Sequence, residues 1–208
     1  MLITQDISLK LFFRKKIVIG QEFLSLSKGS IIFAPIHRSR WDGLILTFAI
    51  GRRVTKKDCR FMVTKPEMSG IQGWFLKRLG CFSIDQESPS LSSLRYALNL
   101  IITNQQLVIF PEGKINRNSK KISLKQGLFR LANLAKKKGV SVTIIPIGIA
   151  YDEMIPKFRG KVALCLERPI IIDDYCPNSI AKFNEILRKR IDEAESKALS
   201  LVGRKMTT

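Results

Sequence analysis

The sequence predicts an α/β fold: one domain over residues 1–208, built on a mixed, mostly parallel sheet of about seven strands flanked by helices. Two observations carry that reading. Seven short, β-branched apolar runs bounded by turn residues have the character of strands, and between several of them lie longer stretches with apolar positions at helical spacing. Parallel strands need a crossover long enough to hold a helix, so this alternation favours parallel pairing. With 208 residues and 45% hydrophobic side chains, the chain can bury one substantial core.

The strand candidates are Lys16–Gly20, Ser30–Pro35, Cys59–Val63, Cys81–Asp85, Gln106–Phe110, Ser141–Ala150 and Lys161–Glu167. Helical spacing covers Gly43–Ile50, Pro66–Leu79, Pro89–Asn104, Gln126–Lys138 and Asn178–Leu201. Pro66 and Pro89 suit first-turn positions, while Gly80 and Gly139 suit helix ends. "YDEMIPKFRG", Tyr151–Gly160, reads as an irregular loop beside the site.

Charge and cysteines narrow the function classes. Lys and Arg total 36 against 17 acidic residues, a net charge of +19, which implies an anionic partner. The basic residues fall in short scattered clusters, among them Arg14–Lys16, Lys120/Lys121, Lys136–Lys138 and Arg188–Arg190. That pattern suits a broad surface meeting a membrane or a large acidic carrier. No zinc-finger spacing, RNP-like pattern or basic zipper is present, so nucleic acid is an unlikely partner. Cys59, Cys81, Cys165 and Cys176 form no Cys-x-x-Cys pair, and a single histidine leaves no zinc site of the usual types; reduced thiols and no metal are expected. The first residues lack the order of a signal peptide, and no window reaches the ~18–20 apolar residues of a spanning helix. Peripheral association with the cytoplasmic face of a membrane is the corresponding expectation.

Three stretches could carry chemistry. In "IHRSRWDG", Ile36–Gly43, a strand ending near Pro35 and a helix starting near Asp42 bracket a turn that can bring His37 and Asp42 together. A carboxylate holding one imidazole nitrogen leaves the other to accept a proton from a hydroxyl. Taken alone, the pair also has a plainer reading, with Asp42 capping a helix over Trp41–Ile50 and His37 a satisfied strand-end residue. In "LVIFPEGKINRN", Leu107–Asn118, a buried strand runs into Glu112 and Gly113 and then Lys114, Arg117 and Asn118. Glycine allows close backbone approach, and the cations could hold a phosphate. In "TIIPIGIAYD", Thr143–Asp152, Pro146 suits a sheet edge or a pocket rim, because proline cannot donate to a ladder. Separately, Met68, Ile71, Trp74, Phe75 and Leu79 recur at helical spacing with Lys77 and Arg78 between them, a stripe that suits either core packing or a membrane interface.

Taken in order, these stretches resemble the glycerolipid acyltransferase family over roughly residues 18–150. His37 to Asp42 matches its first block, His-x4-Asp. Lys65, Glu67, Gly73 and Trp74 are similar to its Lys-x-Glu helix with a Gly-Trp pair. Gly80–Ser88 resembles the second block, Phe110–Asn118 the third, Lys125–Gly127 the turn before the next helix, and Ile144–Ile149 the fourth. The resemblance implies a glycerol-3-phosphate-acyltransferase-like fold and transfer of a fatty acyl group from acyl carrier protein or coenzyme A, with no further cofactor, to a hydroxyl of a lysoglycerolipid. 1-Acyl-glycerol-3-phosphate is the leading acceptor, giving phosphatidic acid; another lysolipid or a glycolipid precursor is the alternative. His37 would be the general base and Asp42 its orienting partner, Glu112, Gly113, Lys114 and Arg117 would bind the acceptor, and backbone near Pro146 and Ile147 would supply oxyanion donors or a pocket rim. Two departures bear on the acceptor: Gln86 stands where the family usually has arginine, and Lys114-Ile115 where it commonly has Thr-Arg. Readings of other classes are a thioesterase using the same pair on water, and a noncatalytic binder of anionic lipid or nucleic acid.

Overall fold

The computed structural model describes residues 2–27, 29–85, 90–117, 123–172 and 179–204. The predicted helix starts at Pro89 and Asn178 lie outside them, as do Gln86, Asn118, Lys120, Lys121 and Cys176.

Helix α1 (Leu2–Phe12) leads into β1 (Phe13–Ile19); β2 (Ser30–Pro35), α2 (Asp42–Ile50), α3 (Arg52–Thr55) and β3 (Cys59–Thr64) follow. A short 3-10 turn precedes α4 (Gly70–Arg78), and then come β4 (Cys81–Ile84), α5 (Leu91–Ile102), β5 (Gln106–Val108) and α6 (Gly127–Lys137). The chain continues through β6 (Val142–Tyr151), β7 (Gly160–Leu166), β8 (Ile170–Ile172) and α7 (Ile180–Val202). All seven predicted strands are present, in an eight-stranded sheet ordered β1-β7-β6-β2-β5-β3-β4, with β8 beside β6. β6 with β2, β2 with β5, β5 with β3 and β3 with β4 run parallel, whereas β7 and β8 run antiparallel to β6. The sheet is therefore mixed and mostly parallel.

β6 is buried along its whole length, which explains its continuous apolar composition. It is an interior strand, so the sheet-edge reading of Pro146 is corrected. Proline is tolerated there because β8 pairs with Val142–Ile144 and β7 with Ile147–Tyr151, so Pro146 falls between the two neighbours. Its carbonyl is used, accepting the Glu167 N–H at 3.0 Å.

Two glycines allow contacts that place functional groups. A Cβ on Gly148 would lie 2.2 Å from the backbone of Ala194, so α7 can sit directly on β6 only with glycine there. A Cβ on Gly73 would meet the Met68 carbonyl at 1.9 Å, where the 3-10 turn Lys65–Met68 passes over α4. The single helix expected over Pro66–Leu79 is accordingly two pieces, broken at Ser69 and at Gly70, whose φ of +58° is left-handed.

Gly148 and Tyr151 are three apart on β6 and so face opposite sides of the sheet. Gly148 meets α7, whose buried face is Phe183, Leu187, Ile191, Ala194, Ala198 and Leu199 together with Glu195, while Tyr151 meets the start of α2. α2 is covered in turn by α1, through Phe12 stacked on Trp41 at 4.1 Å between ring centroids and Gln5 Nε2 donating to the Leu44 carbonyl at 2.9 Å.

Candidate active site

The carboxyl ends of β2, β5, β3 and β6 all open at one end of the sheet, where open α/β sheets place their ligands. Ile36 makes a last ladder bond to the Ile147 carbonyl at 3.0 Å, and the chain then turns through His37–Trp41 into α2. Asp42, with no exposed surface, folds back over that turn. Its Oδ2 accepts the backbone N–H groups of Arg38 at 2.6 Å and Ser39 at 2.9 Å, and lies 2.8 Å from His37 Nδ1. Its Oδ1 accepts the Tyr151 hydroxyl at 2.5 Å. Asp42 is the first residue of the helix and ties down the preceding turn, so it is not the helix N-cap.

An oxygen already accepting two N–H groups is an acceptor toward the imidazole as well. His37 therefore carries its hydrogen on Nδ1 and keeps a lone pair on Nε2 when neutral. The ring stacks on Phe110, with centroids 4.0 Å apart and planes inclined at 24°, and about 20% of the side chain is exposed. Burial, then the charge of Asp42 and the hydrogen bond to it, push the Tyr151 phenol well above its usual pKa, so it remains a donor.

Beneath the turn, Arg38 joins two carboxylates. Its Nε and Nη2 donate to Glu195 Oε1 and Oε2 at 2.7 and 2.8 Å, and its Nη1 donates to Glu112 at 3.2 Å and to the Asn116 carbonyl at 2.8 Å. Burial opposes the charge on Arg38, but the hydrogen bonds to Glu195 and the fields of Glu195 and Glu112 outweigh it and hold the guanidinium pKa above its usual value. Glu112 Oε1 also accepts the His37 N–H at 3.0 Å, and the His37 carbonyl accepts the Asn116 N–H at 2.8 Å. The third block thus clamps the backbone of the first. Gly113, with φ of +72°, makes the sharp turn that lets the loop double back after Glu112.

A cavity of about 600 Å³ opens beside His37, within the ~300–1,000 Å³ typical of small-molecule sites. Its mouth carries Arg40, Glu67, Gly113 and Lys114, and its walls are Leu44 and Thr47 of α2, Phe61–Val63 of β3, Phe75 and Leu76 of α4, and Leu79 just after it. Because β3 runs toward the His37 end, Phe61 sits about 10 Å deeper than Thr64. The arrangement is a polar mouth over an apolar shaft.

The structure brings together His37, Asp42, Gly113 and Lys114 of the sequence-predicted residues. Glu112 is buried against Arg38 and the His37 backbone and does not line the cavity. Arg117 is exposed and does not line the cavity either. Pro146 has no N–H, and Ile147 is buried in the sheet between Pro35 and Leu166; neither lines the cavity. Sequence reasoning missed Arg38, Arg40, Phe110, Tyr151 and Glu195. Glu195 did leave a signal: it interrupts the four-residue series Phe183, Leu187, Ile191, Leu199 on the apolar face of α7.

The acyltransferase family model matches residues 15–150. A 1-acyl-sn-glycerol-3-phosphate acyltransferase from Streptococcus pneumoniae is 33% identical over 116 residues, 54% of this chain and 40% of the relative. The protein of that name from Bacillus subtilis is 30% identical over 129 residues, 60% of this chain and 62% of the relative. The aligned stretches thus span less than two thirds of either relative. The crystal structure of the 1-acyl-sn-glycerophosphate (LPA) acyltransferase PlsC from Thermotoga maritima shares the fold, with a TM-score of 0.67 at 18% identity over 99% of this chain and 80% of that one. The chain belongs to the acyltransferase family.

Proposed function

We propose that the protein transfers a fatty acyl group from an acyl-carrier-protein or coenzyme A thioester to a free hydroxyl of a lysoglycerolipid, with 1-acyl-glycerol-3-phosphate the first candidate acceptor. The observation that carries the reading is the Nδ1-held His37, whose other nitrogen belongs at the mouth of an apolar shaft. The acceptor hydroxyl gives its proton to His37 Nε2 as its oxygen attacks the thioester carbonyl. Asp42, fixed by three further donors, stabilises the imidazolium that forms. The tetrahedral intermediate then collapses, the carbon–sulfur bond breaks, and the thiolate takes the proton back from His37. Ester and free thiol result, with no acyl-enzyme.

The shaft suits an acyl chain, each buried methylene contributing about 0.8 kcal/mol. Arg40 and Lys114 are the cations at the mouth and would take the acceptor phosphate. The +19 charge would draw an acidic carrier or an anionic leaflet toward this end, which fits peripheral action at the cytoplasmic face of a membrane; among the described residues no helix is long and apolar enough to cross one.

The test is a purified-protein assay of labelled acyl-carrier-protein and acyl-coenzyme A donors against a panel of lysolipids. Ester formed only when donor and acceptor are both present is expected. Thioester cleavage at the same rate without any acceptor would assign the pair to hydrolysis instead.

A further inference from the structure

The outer wall of the cavity is a helix with no partner on its other side among the described residues. Of the nine residues of α4, only Gly73 is buried. Ile71 is 89% exposed, Trp74 56% and Phe75 47%, on a helix whose inner side supplies Gln72, Phe75 and Leu76 to the shaft. A single helix thus separates the shaft from solvent and presents Ile71 and Trp74 outward, with Phe75 exposed at its edge. Cations lie near them: Arg78 lies over the Trp74 ring at 3.8 Å, Lys77 is its neighbour in the chain, Arg40 and Lys114 are exposed at the cavity mouth, and Lys65 is exposed on the 3-10 turn before α4.

We infer that the outer face of α4 is a docking surface for an anionic lipid leaflet, with Ile71 and Trp74 inserted among the headgroups and Lys77 and Arg78 held against lipid phosphates. The chemistry of the face selects that occupant. Tryptophan and phenylalanine with flanking Lys and Arg are what a helix lying in a membrane interface uses, an indole gaining most where its ring meets apolar chains and its N–H stays wet. Charge complementarity points the same way, since the chain carries +19 and five cations near this face outnumber Glu67 and Asp85, the carboxylates paired with Arg40 and Lys65. A second copy of this chain would bring the same cations against themselves.

The geometry also gives the docking a purpose. A helix seated in the leaflet places the cavity mouth, with His37, Arg40 and Lys114, at headgroup depth, and its own inner face leads into the apolar shaft. An acyl chain can then pass from leaflet to shaft with little of it crossing water, which matters because each exposed methylene costs about 0.8 kcal/mol. This purpose rests on the proposed acyl transfer; the docking itself does not.

The test uses the full chain, sucrose-loaded vesicles of phosphatidylcholine alone or with phosphatidylglycerol, and two variants, Ile71→Ser/Trp74→Ser and Lys77→Glu/Arg78→Glu. The altered positions do not line the cavity. The wild type should sediment with the anionic vesicles and far less with phosphatidylcholine alone. The apolar variant should lose at least about tenfold in partition, and the charge variant about fivefold or more per altered residue on anionic vesicles. Both should keep wild-type turnover of a short-chain lysolipid presented as monomers and wild-type thermal unfolding. Equal partition of wild type and the apolar variant, or wild type that sediments with neither vesicle, would overturn the inference, as would a wild type that self-associates through this face in place of binding lipid. Partition lost in the variants while the wild type transfers no acyl group from any donor would keep the docking surface and sink the proposed reaction.

Discussion

The Arg38 guanidinium and the Glu195 carboxylate meet edge to edge, Nε to Oε1 at 2.7 Å and Nη2 to Oε2 at 2.8 Å, across 157 residues of chain. Through Arg38 and then Glu112, this pair fastens the last helix to the backbone of His37. Glu195→Gln keeps the shape and one weaker acceptor and should cost about 1–3 kcal/mol, lowering Tm by roughly 2–4 °C per kcal/mol for a chain of this size. Arg38→Met leaves two buried carboxylates without their cation and should cost about 3–5 kcal/mol. Thermal unfolding of both variants checks the order; a Glu195→Gln loss as large as that of Arg38→Met would mean the cluster is held mainly by something other than Arg38.

Tyr151 is the second support of Asp42, and its effect should be visible in kcat. Tyr151→Phe removes the donor to Oδ1 and leaves the carboxylate that orients His37 less firmly held. kcat should fall about tenfold, the worth of one hydrogen bond to a charged group, with KM for both substrates close to wild type. A purely structural role would lower stability and leave kcat where it is.

Buried thiols set the alkaline limit of stability. Burial pushes Cys59 and Cys165 up to about 12, while an exposed thiol titrates near 8.5–9. Between those values the unfolded chain binds fewer protons than the folded one, so stability falls as pH rises from about 9. At pH 10 the loss should reach up to about 2 kcal/mol per thiol, read as a fall in Tm between pH 8 and pH 10 that shrinks in Cys59→Ala measured against its own value at pH 8. A Tm equal at the two pH values would contradict the burial of these groups.

The shaft should measure chain length. Thr47 lines the α2 wall of the shaft more than a turn beyond Asp42, and Thr47→Phe fills space there. Each methylene denied burial costs about 0.8 kcal/mol, so kcat/KM should fall about fourfold per lost methylene for long donors and stay unchanged for short ones. Uniform loss across chain lengths would place the acyl chain elsewhere.

Much of this was legible in the sequence because strands buried on both faces write continuous apolar runs; β2, β5 and β6 are of that kind. β8, three residues after a proline, was too short to stand out, and α1 has no strong periodic stripe. The break at Ser69 was hidden because Gly70 and Gly73 can sit inside a helical pattern, and the close pass of Met68 over Gly73 is a tertiary fact. The pairing of His37 with Asp42 followed from a local turn, and was therefore readable. That Glu112 turns in against Arg38 is not legible in its loop, because which way a side chain points there depends on what lies beneath, here a guanidinium itself held by a helix near the other end of the chain. Arg40 drew no notice as one more cation among 36.

The central claim is that Nε2 of His37 takes the acceptor proton. It is tested most directly by acyl transfer with purified His37→Ala and wild type under single-turnover conditions, with vesicle binding and unfolding measured alongside. A fall of about 10²–10⁴-fold in the rate of ester formation, with vesicle binding and Tm close to wild type, is the predicted result; ester formation by His37→Ala at the wild-type rate would contradict it.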